Sequence, residues 1–584
     1  MEKIKQISQK MVSTPFKFSL TVNIIAFLIC IALFHPFFED SGDAVMAMIA
    51  EGAFGARDIH LINTSVVFGG ILKVFAAMIP AVRWMSIWLY MTAFCSLVAI
   101  VFVLARNKHT RALALVFVLA AGYELYVSVN IYKTSAVAAA AAYMLIFTHA
   151  RRVLASVARK MNDENYKIYR NVPMLVLAGI LLFVARTLSA NAFLLSTLLM
   201  IGTGLCEFFW YVGRVRVKKI FYVYVAHFAP VAVLFVAMIL VGKFSYTDAA
   251  WAEYIGDYKR ELVSLAQDHP AALDYTLHGE DLSGLNISEN DAHMFLTDQN
   301  ADDRVFSAET MREISSLDRK YPFDIEVIKA WAMNIYNTMF SLTPIIAAAM
   351  FMILMGCTWM RHYLRSPKYP AESFARRIFL ICECCACVAL FFYLQYANEW
   401  DQKHVNSILL VFLAAVMYVM VVSRWEEYRG NTRLAVSVLT WVVMIANVGC
   451  LLGNLVDYRA YSRTGRDFDV VRMYMAEDKD KLFVVDIDTI ADAFTYDVFK
   501  ASAEGSLDNM LPAGDWYANA PVFKSIAERF GYENAYDALA GGSILIDNYY
   551  PAEKAMFLTQ HGDGPRYTAE YLQTVMGYTL FKLY

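Results

Sequence analysis

The sequence predicts a polytopic all-α membrane protein with a small extracytoplasmic α/β domain at its C-terminus. The lengths of its apolar segments predict about eleven transmembrane helices. Hydrophobic residues make up 58% of the 584 residues, charged residues make up only 18%, and the mean hydropathy is +0.42. A soluble domain carries about 25% charged residues. Apolar windows of about 17 to 25 residues, the length that crosses a bilayer, recur along the chain. Strand-like runs near the C-terminus predict the α/β domain.

Polar or basic joints separate the predicted spans. These spans cover residues 18–36, 84–105, 112–129, 136–150, 173–186, 188–212, 220–241, 337–359, 378–396, 407–423 and 434–455. The stretch 64–80, "TSVVFGGILKVFAAMIP", is short, contains two glycines and carries Lys73. We expect it to lie on the membrane surface or to re-enter the membrane, rather than to span it.

Basic residues predict the orientation. If 64–80 does not cross, nearly all arginines and lysines of the short loops fall on the same side as Lys3, Lys5, Lys10 and Lys17. The positive-inside rule then places the N-terminus in the cytoplasm and the C-terminus outside. The first span is interpreted as an uncleaved signal anchor, because "HPFFED" is a poor cleavage site. None of the nine cysteines lies in the outer segments, which favours the inner membrane of a bacterium.

This topology divides the chain into four parts. They are an N-terminal transmembrane module (1–241) with a first outer loop (37–83), an extracytoplasmic acidic loop (242–336), C-terminal transmembrane helices (337–455) and the extracytoplasmic α/β domain (456–584). In the first outer loop, 43–54 and 64–80 have apolar stripes that predict two helices on the membrane surface. In the last part, "KLFVVDIDTI" and "GSILIDNYY" have the composition of buried strands.

Charged residues gather near the predicted outer ends of the spans. The first outer loop supplies Glu39, Asp40, Asp43, Arg57 and His60, and the span ends supply Glu124, Lys133, Arg186, Lys403 and His404. A charge at a membrane boundary is a functional-site hypothesis by default. Each residue alone also fits snorkelling or a structural ion pair. The convergence of acids, cations and a histidine on one layer favours a site.

Such a layer suits the transfer of a sugar from a lipid phosphate at the membrane surface. Cations or a divalent metal would neutralise the phosphate as it leaves. A carboxylate would take the proton from the acceptor hydroxyl. The net charge of −3 offers no basic field for nucleic acid.

The plan resembles the GT-C-type glycosyltransferases, integral membrane enzymes that use polyprenyl-phosphate sugars, and is similar to bacterial multi-spanning glucosyltransferases. The resemblance rests on the first span, the acids of "HPFFEDSGD" in the first outer loop, the two surface helices, the number of spans and the outer tail. It implies a first-loop carboxylate that acts as a base or contacts a metal. Glu39 and Asp40 match the adjacent acid pair of some members, and Asp43 lies one helical turn further on.

The resulting hypothesis is sugar transfer, on the outer face, to a cell-envelope glycan or lipid. Asp43 is the candidate general base, Asp40 a contact for the acceptor or for Mg or Mn, and Glu39 the alternative acid. The phosphate-binding candidates are Arg186, Lys133, Lys403 and His404. The candidates for contacts with the acceptor or within the loop are Arg57, His60 and Glu124. The expected partners are the donor, the acceptor and membrane lipids, without nucleic acid.

Two other functions remain open. A transporter or flippase of lipid-linked glycans should show internal repeats and charges at the membrane midplane, and the sequence has no convincing repeat. A non-catalytic envelope assembly protein would use 456–584 for docking. Asp486 and Asp488 imitate the nucleophile motif of haloacid-dehalogenase-type phosphatases, but Ile490 replaces its threonine and the accompanying motifs are missing.

Overall fold

The computed structural model describes most of the chain. The described residues are 13–158, 172–212, 215–246, 248–318, 325–363, 370–422, 431–495, 498–562 and 566–584. Lys3, Lys5 and Lys10, and much of the basic loops used to predict the orientation, lie outside these ranges. Within them, eight helices are long and apolar enough to cross a membrane, or nine if one bent pair counts as a single span.

The N-terminal module is helical apart from one short pair of strands. In chain order it contains α1 (Pro15–Leu33), β1 (Phe37–Phe38), α2 (Ser41–Glu51), α3 (Val66–Met78), α4 (Trp84–Leu104), α5 (Arg111–Tyr126), β2 (Ser128–Val129), α6 (Ile131–Ala158), α7 (Val172–Leu188), α8 (Ala190–Tyr211) and α9 (Val217–Ser245). In the apolar window of α6, 94% of residues are buried, whereas 6% are buried in that of α9. Helix α6 is therefore the centre of the bundle, and α9 presents its surface to lipid.

Helical elements also form the acidic loop and the second group of apolar helices. They are α10 (Ala249–Glu253), α11 (Lys259–Val263), α12 (Tyr275–Gly284), α13 (Glu289–Leu296), α14 (Ala308–Ser315), α15 (Ile325–Phe340), α16 (Pro344–Tyr363), α17 (Pro370–Tyr396), α18 (Gln402–Val422) and α19 (Asn431–Glu477). The bent pair is α15 and α16, which meet at 98°. Pro344 disfavours a helical Thr343, and Leu342 adopts a positive φ of 45°, so the chain turns there.

Each of the eleven predicted spans coincides with a helix or with the bent pair. Helices α5 and α7 have only 16 and 17 residues, and the number eleven therefore stays a prediction. The stretch 64–80 forms α3, which has 13 residues. At 1.5 Å per residue it is about 20 Å long, too short to cross a bilayer alone.

Helix α2, expected on the membrane surface, is enclosed by protein. Every residue from Gly42 to Glu51 is buried. At the end of this helix, Arg83 Nε donates to Glu51 Oε1 over 2.9 Å, and Glu51 Oε2 also accepts from the backbone N–H of Ser502 at 2.7 Å. The C-terminal part of the chain thus covers α2 and shields it from the membrane surface.

The C-terminal part is a mixed five-stranded sheet with helices. It contains β3 (Phe483–Val485), α20 (Ile487–Thr495), β4 (Met510–Pro512), α21 (Pro521–Arg529), α22 (Ala535–Ala540), β5 (Ile544–Ile546), α23 (Pro551–His561), β6 (Ala569–Val575) and β7 (Tyr578–Leu583). The strand order is β4–β3–β5–β7–β6. Strand β3 is parallel to both β4 and β5, and β7 is antiparallel to β5 and β6. The two predicted buried strands are confirmed as β3 and β5.

The phosphatase-like Asp486 belongs to a closed cluster beneath this sheet. Lys554 Nζ lies 2.6 Å from Asp547 Oδ2 and 3.3 Å from Asp486 Oδ1, and all three side chains are fully buried. Asp486 Oδ2 also accepts hydrogen bonds from the backbone and the hydroxyl of Thr489. This arrangement stabilises the strand ends and leaves Asp486 closed to solvent.

Three predicted boundaries between the parts fall inside continuous helices. Helix α9 passes 241, α15 passes 336 and α19 passes 455. With 47 residues, α19 is about 70 Å long, more than twice the apolar thickness of a bilayer. The membrane helices therefore continue directly into the outer parts and fix their position above the bundle.

Candidate active site

Local structure fixes the acids of the first outer loop. Strand β1 pairs with β2 in parallel, with Phe38 opposite Val129. Asp40 is the N-cap of α2, because its Oδ1 accepts from the backbone N–H of Gly42 at 2.8 Å. Aspartate is a favoured N-cap residue, and acids near a helix N-terminus interact well with the helix dipole.

Asp43, in the first turn of α2, reaches the start of a second helix. Its Oδ2 accepts from the backbone N–H of Ile131, the first residue of α6, at 2.9 Å. Within the described residues, its Oδ1 has no protein hydrogen-bond partner. Burial and the neighbouring Asp40 raise the pKa of the Asp43 carboxyl well above its usual value, against the opposing effects of Ile131 and Lys403. Asp43 is thus held in place by one oxygen and has the other available.

A cavity of about 580 Å³ lies beside Asp43. Six separate parts of the chain line it: the first outer loop, the start of α6, the turn between α7 and α8, the acidic loop, the loop between α17 and α18 with the start of α18, and the loop after β4. The residues are Asp40, Gly42, Asp43, Met46, Asn63, Asn130, Ile131, Tyr132, Ser189, Ala190, Asn191, Lys259, Leu262, Val263, Ala266, Gln267, Asp298, Asn300, Asn398, Glu399, Lys403, His404, Asp515 and Trp516. Of the predicted residues, the cavity brings together Asp40, Asp43, Lys403 and His404.

Lys403 lines this cavity, and two carboxylates neutralise its charge. Its ammonium pairs with Asp40 and lies 3.1 Å from Asp401 Oδ2. His404 follows it, with Nδ1 at 2.8 Å from the carbonyl oxygen of Glu399. Because a carbonyl oxygen only accepts, Nδ1 of the neutral ring carries the proton and Nε2 is left as an acceptor.

Lys259 is the cavity cation without a counter-ion. Its ammonium donates to the carbonyl oxygen of Ile62 at 3.0 Å and to the side chain of Asn63, and lies 5.2 Å from the centre of the Trp516 ring. Among the described residues, no carboxylate lies within ion-pair distance of it. Burial lowers the pKa of Lys259 to about 8. A half-buried ammonium that lacks a carboxylate partner is suited to an anionic ligand.

Irregular backbone positions Lys259 and the loop that faces it. Lys259 directly follows a π-helical turn, Tyr254–Tyr258, a feature frequent at functional sites. From this turn the Tyr254 hydroxyl donates to the carbonyl of Trp516, and Asn519 Nδ2 donates to the Tyr258 hydroxyl. The acidic loop and the loop after β4 are therefore held together around the cavity.

Three lining residues adopt left-handed backbone conformations. Asp298, Asn398 and Asp515 have φ values of 57°, 51° and 71°. Aspartate and asparagine enter this region more readily than other non-glycine residues. Next to Asp515, a Cβ on Gly514 would lie 1.7 Å from the carbonyl oxygen of Asp298, so this close approach of two loops requires glycine.

Three of the other predicted residues, Glu39, Glu124 and Lys133, form a cluster with Asn406, which we call the Lys133 cluster. The ammonium of Lys133 lies 2.9 Å from both Glu39 Oε2 and Glu124 Oε2, and Asn406 Nδ2 donates to Glu124 Oε2 at 2.8 Å. Lys133 has no exposed surface. The charge of Lys133 is therefore matched twice, and none of these four residues is among those that line the cavity.

Arg186, Arg57 and His60 also lie outside the cavity lining. Arg186 sits 5.7 Å from the ring centre of Phe235 on α9. Arg57 Nη2 lies 2.8 Å from Glu504 Oε2. The ring of His60 is 2.7 Å from Asp58 through Nδ1 and stacks on Trp251. Their predicted contacts with phosphate or acceptor gain no support from these positions.

The residues present do not fit a site for Mg or Mn. Both oxygens of Asp40 have donors, the Gly42 N–H and the Lys403 ammonium. Across the described ranges, no group of three or more His, Cys, Asp or Glu is arranged to hold a metal ion. We therefore derive no step through a metal.

An apolar groove of about 190 Å³ lies between α15, α16, α17 and α18. Its wall includes Ile335, Met339, Cys387, Phe391 and Trp400 and exposes no polar surface. Trp400 is the next residue in the chain after Glu399 of the cavity. A polar cavity and an apolar groove are thus neighbours.

Sequence analysis missed several residues of the cavity. Lys259, Asp298, Asn300, Asp515 and Trp516 line it, yet none was a candidate. The signal for the last two was "GDWYANAPVF", which has the composition of a turn-rich aromatic loop. Lys259 carried no signal, because a lysine in an acidic outer loop looks like an ordinary solvated charge.

Comparisons with known proteins give two structural matches. No family model matches the chain, and no curated protein matches its sequence. The chain is similar to the crystal structure of ArnT from Cupriavidus metallidurans in the apo state, with 9% identity, a TM-score of 0.35 and 96% of each chain covered. It is similar to the same protein bound to undecaprenyl phosphate, with 9% identity, a TM-score of 0.34, and 96% and 97% of the chains covered. These matches assign no role to any residue of this chain.

Proposed function

We propose that the chain is a membrane glycosyltransferase that moves a sugar from a polyprenyl-phosphate donor to a cell-envelope glycan or lipid. The observation that carries the proposal is that one cavity contains both a carboxylate with a free oxygen and a lysine without a counter-ion. Asp43 supplies the first and Lys259 the second. The lipid in the second solved structure, undecaprenyl phosphate, is the carrier part of such a donor, without its sugar.

In the proposed reaction, Lys259 binds the phosphate of the donor. The ammonium offers donors to the phosphate oxygens and balances the charge that grows as the bond between sugar and phosphate breaks. Its partners Ile62 and Asn63 fix its direction without matching its charge. Lys403, by contrast, would have to leave Asp40 or Asp401 to bind an anion.

Asp43 is the proposed general base. The acceptor hydroxyl gives its proton to Oδ1 of Asp43. The oxygen of that hydroxyl bonds to the anomeric carbon of the sugar. The bond between sugar and phosphate breaks, and the phosphate leaves with its electron pair. A raised pKa suits this role, because a base works best when its pKa is near the working pH. The hydrogen bond from Ile131 to Oδ2 keeps the carboxylate aimed during the transfer.

The apolar groove is proposed to hold the first isoprene units of the donor. It lies among the apolar helices and exposes no polar surface, and its residue Trp400 directly follows Glu399 of the cavity in the chain. A lipid that places its phosphate at Lys259 has its tail on the membrane side of the cavity, where such a wall removes it from water.

Binding of undecaprenyl phosphate to the purified full-length protein in nanodiscs, followed by native mass spectrometry, tests the proposal. We expect Lys259→Gln to weaken binding by about tenfold or more, as the loss of one charge-assisted contact predicts. Lys524→Gln is the matched control. That lysine lies in the same outer region, pairs with Asp303 and is half-exposed, and its loss should leave binding unchanged. Absence of binding to the wild-type protein, or equal binding by Lys259→Gln, would contradict the proposal.

A further inference from the structure

The wall of the cavity that faces away from the apolar groove is built by the outer parts of the chain. Asp515 and Trp516 follow β4, whereas Asp298 and Asn300 belong to the acidic loop. Strands β4, β3 and β5 are parallel. Ligands of open α/β sheets bind beyond the carboxyl ends of parallel strands, and the loop after β4 extends from such an end.

Trp516 is an aromatic surface placed next to the proposed base. Its ring lines the cavity and is only partly buried. A Cβ on Gly42, the residue before Asp43, would lie 2.9 Å from this ring. A flat ligand on the open part of the Trp516 ring is therefore close to the start of the helix that carries Asp43.

Two polar side chains line the same cavity as that ring, Asn300 and Asp515, and Asp515 Oδ1 accepts from the backbone N–H of Trp516. Asn300 is 97% buried and lines the cavity, and within the described residues its Oδ1 has no hydrogen-bond partner. Burial and the nearby Asp298 raise the pKa of Asp515 to about 8, so Asp515 is largely an uncharged donor at neutral pH. An aromatic face with a free amide acceptor and a carboxylic acid donor suits a neutral ligand rich in hydroxyl groups.

We propose that Trp516, Asp515 and Asn300 form a carbohydrate subsite that holds a sugar ring of the acceptor. The apolar face of the ring packs on Trp516, and its hydroxyls bond to Asp515 and Asn300. One hydroxyl of the same glycan then reaches Oδ1 of Asp43. The assignment to the acceptor rests on the proposed function, whereas the carbohydrate chemistry of this wall does not.

Saturation-transfer NMR on the full-length protein in nanodiscs tests the subsite with soluble probes. The probes are maltotriose, cellotriose, mannotriose and chitotriose, with spermidine as a cationic comparison. At least one trisaccharide should receive saturation. The signal should fall about fivefold or more in Trp516→Ala, as loss of a stacking contact predicts, and should fall in Asn300→Leu, which removes the unpartnered acceptor. Tyr571→Ala, at an exposed aromatic residue on β6, is the matched control and should give the wild-type signal.

Further measurements separate the subsite from the donor site. The trisaccharide signal should persist when undecaprenyl phosphate is saturating, and it should persist in Lys259→Gln. If Trp516→Ala lowers the unfolding temperature, Asn300→Leu, which changes the size of the side chain little, decides the outcome. Binding of no trisaccharide, binding of spermidine in its place, or wild-type signals in both variants would overturn the subsite. Displacement by undecaprenyl phosphate would overturn the acceptor assignment. If undecaprenyl phosphate does not bind but a trisaccharide does, the proposed function is contradicted and the carbohydrate subsite is not.

Discussion

A short piece of the first outer loop contributes acids to two groups of charges. The two groups differ in how completely their charges are paired. Glu39 enters the Lys133 cluster, whose lysine has no exposed surface and two carboxylate partners. Asp40 and Asp43, one and four residues further on, line an open cavity with Lys259. Both groups combine acids with a lysine near the ends of apolar helices.

The difference teaches that a charge near a membrane boundary does not identify a site. In the Lys133 cluster, every charge has a partner, and the cluster ties β1, α5, α6 and α18 together. In the cavity, Oδ1 of Asp43 and the charge of Lys259 remain available to a ligand. The chemistry is expected where an incompletely paired group faces an open cavity, and a stabilising role is expected where every charge of a cluster is paired.

The largest expected effect is on transfer in Asp43→Asn. Removing the proposed base should slow sugar transfer by about 10²- to 10⁴-fold, while undecaprenyl phosphate binding stays within about twofold, since the phosphate contact is at Lys259. The measurement is incorporation of labelled sugar into membrane glycans or lipids, with transfer from a panel of polyprenyl-phosphate sugars.

Asp58→Asn is the control for that variant. Asp58 lies in the same loop, pairs with His60 and is outside the cavity lining, so its transfer rate should equal that of the wild type. Full transfer by Asp43→Asn would show that another group takes the proton, and Nε2 of His404 would then be the next candidate.

The second effect is on stability in Lys133→Met. Removing the lysine leaves the buried Glu124 and the half-buried Glu39 without this counter-ion, which costs about 3–5 kcal/mol. Lys403→Met removes a lysine that faces the cavity with 22% of its side chain exposed, and should cost about 1 kcal/mol or less. Thermal unfolding in detergent compares the two. Equal losses would abolish the distinction between the closed cluster and the open cavity.

The sequence predicted the helices, two strands and part of the site because each of these depends on neighbouring residues. Apolar length specifies the helices, and the three-residue runs at 483–485 and 544–546 are apolar throughout. The hairpin of β6 and β7 was missed, since its turn at Met576 and Gly577, with φ values of 52° and 90°, lacks an Asn-Gly or Asp-Gly signal.

The rest of the site depends on contacts between distant parts of the chain. Lys259 and Trp516 are 257 residues apart and meet at 5.2 Å. Nothing local distinguishes Lys133, whose charge is matched twice, from Lys259, whose charge is not. Likewise, the apolar stripe of α2 is compatible with two environments, a membrane surface and a contact with the C-terminal part, and the sequence does not distinguish them. Pairing and burial are properties of the tertiary fold.

The smallest effect is a pH dependence that separates Lys259 from the acids around it. With a pKa of about 8, Lys259 is charged below pH 8 and loses its charge above it. The phosphate itself, with a second pKa of about 6, does not titrate there. Affinity for undecaprenyl phosphate should therefore fall by about tenfold between pH 7.5 and 9.5.

Lys259→Arg shows which group causes that fall. Asp515 has a pKa of about 8 and becomes negative over the same range, which also opposes phosphate binding. Arginine stays charged throughout, so any fall that remains in Lys259→Arg belongs to the acids, and adding Asp515→Asn should remove it. Dissociation constants measured across this range in the three proteins give each contribution by difference. An identical fall in the wild type and Lys259→Arg would mean that the lysine charge does not bind the phosphate, and the cavity would then lose the feature that sets it apart from the Lys133 cluster.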